Sequence, residues 1–117
     1  MGSVSPSSTE RSRVIDRAHS GSMLDATYVI ADFNRRRFLF REEPIYLEEV
    51  INGVSPSEAE VLNRKASALH ADEGYFGEKY WTGQTHEEIY QEMRERHPGF
   101  GPVSYELALH RGIVAMR

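Results

Sequence analysis

The sequence predicts a mainly α fold, a small single-domain bundle of about four to five helices behind a disordered N-terminal arm. Three observations point there. Two helix-start boxes, Ser55-Pro56-Ser57-Glu58 and Thr85-His86-Glu87-Glu88, stand where orphan amide groups need a hydroxyl and a carboxylate. Apolar residues recur at helical spacing behind Pro44 and behind Ser55. A length of 117 residues fits one core, which gives residues 1–22 as a disordered tail and 23–117 as a single compact domain. An α+β fold with a β-hairpin at 27–41 is the alternative.

Residues 1–22 hold seven serines and too few large apolar side chains to offset the entropy of ordering. Within them Glu10–Ala18 fits a short helix whose large apolar residues are Val14 and Ile15, and such a piece needs a surface to dock on. The segment from Met23 to Glu43 carries two patterns. Thr27–Phe33 and Arg37–Arg41 are rich in β-branched and aromatic residues, with Asn34 at the place for a turn. Against that, Ala26, Val29, Ile30, Phe33, Arg37 and Phe40 share one helix face, Ser22 and Asp25 are spaced as a cap, and a turn at Asn34-Arg35 lacks the usual glycine. The balance favours helix.

Pro44 suits a first helical position, Leu47, Val50, Ile51 and Val54 follow at helical spacing, and Asn52-Gly53 supplies a left-handed stop. The Ser55 box opens a helix to about Ala71 that buries Ala59, Leu62, Ala66 and Leu69, with Val61 beside them. The stretch Asp72–Gly83 reads as a connector, because it sets four aromatic residues among glycines and acids. The Thr85 box opens a helix to about His97 with a thin apolar stripe of Ile89 and Met93, flanked by Tyr90 and His97, and Pro98-Gly99 ends it. From Pro102 to about Met116 another helix turns Val103, Leu107 and Ile113 or Val114 inward, with Gly112 as an early breaking point.

Composition narrows the function classes. The net charge is −4, and from Glu42 to Glu106 fourteen acids face five bases. An acidic body disfavours generic phosphate-backbone binding, so a basic protein is the more natural complement. The absence of cysteine removes disulfides, thiolate zinc sites and a cysteine nucleophile. No apolar run approaches bilayer length and no secretory h-region opens the chain, so the expected setting is cytoplasmic.

None of the usual chemistry-bearing constellations stands out. His19, His70, His86, His97 and His110 lack the helical spacing of a metal set, which leaves surface and capping roles; no metal and no cofactor is expected. Carboxylate pairs such as Glu48-Glu49 and Glu87-Glu88 are adjacent and point apart, as solvated faces do. No serine sits in a nucleophile elbow, and Gly74-Tyr75-Phe76-Gly77 lacks the lysine of a phosphate loop. An enzyme is therefore not expected.

Thr85-His86-Glu87-Glu88-Ile89-Tyr90 through Arg94, then His97-Pro98-Gly99, Tyr105 and Gly112-Ile113-Val114, resembles the helix-turn-helix of winged-helix regulators of the ferric uptake regulator type, whose first helix ends in a similar His-Pro-Gly. The likeness spans about thirty residues. It departs where Tyr105–Gly112 is shorter than that family's recognition helix and where its histidine and cysteine metal ligands find no match. The resemblance implies a nucleic-acid-binding regulator using 85–117, with His110 and Arg111 toward DNA, Glu106 opposing them, and Arg35, Arg36, Arg37 and Arg41 as a further basic run. Capping chemistry alone accounts for the same letters.

The leading expectation is a small acidic protein-binding module of the inhibitor, immunity, antitoxin or adaptor kind, without catalytic activity. Its partner-binding residues are Glu73, Tyr75, Phe76, Glu78, Tyr80 and Trp81, since large rigid rings with a polar handle are what interface hot spots use. The partner is another protein, a basic one by charge, and a second copy of the chain is the other option. The plain structural reading of the same rings is that they seal a gap between two helices.

Overall fold

The computed structural model describes residues 6–115, apart from the side chains of residues 6–9, 38 and 40. It is mainly α, as expected. The helices are α1 (Pro6–Ser20), α2 (Met23–Phe40), α3 (Leu47–Val50), α4 (Pro56–Ala71), α5 (Glu73–Trp81), α6 (His86–Arg96) and α7 (Pro102–Ala115), and no strand occurs among the described residues. The hairpin alternative at 27–41 is overturned. Ser22 and Asp25 cap α2 reciprocally: the Asp25 amide donates to Ser22 Oγ at 3.1 Å, and the Ser22 hydroxyl donates to the Asp25 carboxylate at 2.8 Å. The stripe Ala26, Val29, Ile30 and Phe33 is buried.

The helix count exceeds the expected four to five, because α1 and α5 join the set. Residues 1–5 of the expected arm lie outside the described residues; from Pro6 to Ser20 the chain is helical. α1 finds the docking surface it needs on α2, where Val14 and Ala18 are buried. Arg11 Nη1 donates to the Glu43 carbonyl at 2.8 Å, and Arg36 pairs with Glu10 at 3.6 Å.

Backbone contacts divide the chain into two compact units, residues 1–63 and 64–117, and the border falls inside α4. The sequence carries no mark of that border, which is not a linker.

In the first unit, the helix expected to begin at Pro44 shrinks to the single turn of α3. The cause is Asn34. Its side-chain oxygen accepts the Ile45 amide and its side-chain nitrogen donates to the Ile45 carbonyl, both at 2.8 Å. This pairing copies a strand contact, holds the buried Ile45, and is followed by Tyr46 in an extended conformation. Gly53, at φ 84°, supplies the left-handed turn that its sequence position asks for.

In the second unit α5 lies against α7. A Cβ on Gly77 would overlap the Gly112 carbonyl, and a Cβ on Gly112 would overlap the Glu73 carbonyl. Gly112 therefore does not end α7; it is the point where a second backbone comes near. The buried face of α7 is Ser104, Tyr105, Ala108, Leu109 and Gly112, while Val103 and Val114 are exposed and Leu107 is half-buried. That corrects the expected inward set: the close approach of α5 at Gly112 turns inward the face that carries Gly112, Ala108 and Ser104, and Tyr105 and Leu109 come with it, whereas the expectation placed Val103 and Leu107 there. α6 starts at the Thr85 capping box and buries Ile89 and Met93 completely.

Candidate partner-binding surface

The aromatic stretch 72–83 is a helix rather than a connector, and that decides where each side chain goes. Asp72 precedes α5 without capping it by its side chain. One carboxylate oxygen instead accepts Arg96 Nε and Nη2 at 3.1 and 2.9 Å and lies 2.7 Å from His97 Nε2. Burial pushes the Asp72 carboxyl up, but the hydrogen bonds and charges of His97 and Arg96 outweigh it and hold the group below its ordinary value. The start of α5 is thereby tied to the end of α6.

Of the six expected binding residues, two turn inward. Phe76 is fully buried, with its ring edge-on to Tyr75 and to His97. Glu73 is 8% exposed and lies 3.0 Å from His70 Nδ1. Helical spacing explains both, since 73, 76 and 77 form the face that meets α7. Tyr75 is half-buried, with the Arg96 guanidinium 4.5 Å and the Lys79 ammonium 5.0 Å from its ring centre. Glu78, Tyr80 and Trp81 remain on the surface, Trp81 with 53% and Tyr80 with 37% of its area exposed.

The exposed rings are ordered. Tyr80 meets Trp81 edge-on at 5.3 Å and His86 at 5.6 Å, and His86 meets Tyr90 at 6.0 Å. The Trp81 indole N–H donates to the Ile113 carbonyl at 3.2 Å, satisfying a backbone group near the end of α7 while leaving half the ring to solvent. This row of rings leads to a cleft of about 140 Å³ lined by Tyr90, Arg94, Phe100, Pro102, Tyr105 and Glu106. Burial and the nearby Glu106 charge push the Tyr90 phenol up. His86, Tyr90 and Phe100 are the members that sequence reasoning did not select. Tyr90 beside the Ile89–Met93 stripe is the one signal that bears on them.

The basic residues of the nucleic-acid alternative are largely engaged within the fold. Arg35 and Arg36 pair with the buried Asp32 at 3.7 and 3.5 Å, and Arg37 donates to the Glu42 carbonyl at 3.3 Å. Arg41 is exposed and follows α2 at φ 56°. His110, exposed, and Arg111, half-buried, belong to α7 in the other unit. Among the described residues no group of three His, Asp or Glu comes together as a metal-holding set, and no helix is long and apolar enough to cross a membrane.

No family model matches the sequence, and no curated protein or solved structure matches it either. The likeness of 85–114 to a helix-turn-helix rests on the quoted residues alone.

Proposed function

We propose that the chain is a protein-binding module without catalytic activity of its own, of the inhibitor or adaptor kind, acting in the cytoplasm. Its contact surface is the row Trp81, Tyr80 and His86 with the cleft that begins at Tyr90. The observation that carries this reading is Trp81. A half-exposed indole, fixed by one hydrogen bond and an edge-on tyrosine, offers a partner large apolar area at little entropic cost. Glu78 on the same helix adds a polar rim.

The test is a comparison of wild type with Trp81→Ala and Tyr80→Ala in affinity capture followed by titration calorimetry. The wild type retains a protein that either variant binds at least about tenfold more weakly, with the far-UV circular dichroism unchanged. Equal retention by all three proteins would remove the reading. Self-association through the same rings is checked by sedimentation, where the wild type and Trp81→Ala would then differ in mass.

A further inference from the structure

We propose that Phe100 and the two clefts it lines bind an extended acidic segment of a partner protein that carries an apolar side chain. This names the partner chemistry for the surface described above and rests on the protein-binding reading.

Phe100 sits in the turn between α6 and α7 and lines the 140 Å³ cleft. It also lines a second cleft of about 180 Å³, with Lys65, Ala68, Arg96, His97 and Pro98. Both volumes fall below the roughly 300 Å³ at which pockets for whole small molecules begin. Each is the size of one or two side chains, and a ring shared by two such hollows suits a chain laid across it. The turn is held in advance of binding: the Tyr105 hydroxyl donates to the His97 carbonyl at 2.6 Å, His97 meets Asp72, and Gly99 at φ 102° reverses the chain.

Charge selects the occupant. The two clefts together present Lys65, Arg94, Arg96 and His97, against one lining carboxylate, Glu106. Arg96 and His97 already face Asp72. Lys65 and Arg94 are exposed, and neither meets a carboxylate among the described residues. In a chain with an overall acidic surplus, unpaired cations in two clefts that share one phenylalanine call for carboxylates from outside. This reverses, for this face, the expectation of a basic partner.

The full-length chain is titrated into two fluorescein-labelled peptides, one of aspartate and glutamate around a leucine–phenylalanine pair, the other with lysines replacing the acids, and anisotropy is read. The acidic peptide binds and the basic one does not. Lys65→Glu combined with Arg94→Glu weakens binding by about tenfold or more, as does raised salt. Phe100→Ser has the same effect; should it unfold the chain, the surface double variant still decides. Preference for the basic peptide, unchanged affinity in the double variant, or binding of an oligonucleotide in place of both peptides overturns the proposal. Failure of the acidic peptide beside a persisting Trp81-dependent complex sinks this inference and leaves the protein-binding reading standing.

Discussion

Asp72 shows how one side chain can be spent on holding two helices rather than on a cap or a reaction. Its carboxyl is held below its ordinary value by His97 and Arg96, so its contribution to stability is present above the unfolded-state value of about 4 and fades as the pH falls through the lower folded-state value. Thermal melts of wild type and Asp72→Asn as a function of pH check this. The wild type is the more stable at neutral pH, and the difference between the two narrows as the pH drops below about 4. A constant difference across that range would show that Asp72 acts through shape rather than charge. The same scale separates the aromatic residues. Phe76 and Trp81 look alike in the sequence, yet one is fully buried and the other half-exposed, so alanine at 81 affects binding while alanine at 76 opens a core cavity costing about 3–5 kcal/mol. Urea denaturation of Phe76→Ala measures that loss.

At the scale of elements, the three capped helix starts were legible because each is a local transaction between a side chain and amides within one turn. The hydroxyl of Ser22, Ser55 or Thr85 accepts the amide three residues on, at 3.1 to 3.2 Å. α5 was not legible, since Gly74, Gly77 and Gly83 read as loop punctuation. The glycines differ in purpose. Nothing lies within 4 Å of a Cβ on Gly74, whereas a Cβ on Gly77 meets the backbone of α7. Gly74→Ala should therefore be neutral or stabilise by up to about 1 kcal/mol through helix propensity. Gly77→Ala should destabilise by about 2–3 kcal/mol, because backbone cannot step aside as a flexible side chain can. Equal unfolding midpoints for the two variants would contradict the close crossing of α5 and α7. α3 is a similar case: the spacing of Leu47, Val50, Ile51 and Val54 is helical, but the Asn34 amide, from a different helix, holds Ile45 in an extended pairing that delays the start, and an extended Ile51 ends the turn.

At the scale of the whole molecule, the acid surplus is concentrated in the first unit, where ten acids face seven bases, against eight and seven in the second. The proposed cationic double cleft belongs to the more nearly neutral unit. Amide hydrogen exchange should protect α2 around residues 26–33 and the α5–α7 pair most, and residues 51–55 and 82–85 least, following burial. Uniform protection along the chain would argue against these two packing centres. The sequence by itself determined the helical class, the three capped starts, the glycine stops and the stripes of α2 and α6, because each depends on residues within two turns of one another. Only the tertiary structure decided that Glu73–Trp81 is a helix, which of its rings face outward, which face of α7 is buried, and that Phe100 lines two clefts. Those outcomes depend on which backbone approaches which, through contacts such as Gly77 with Gly112 and Asp72 with Arg96, and no local pattern encodes the partner.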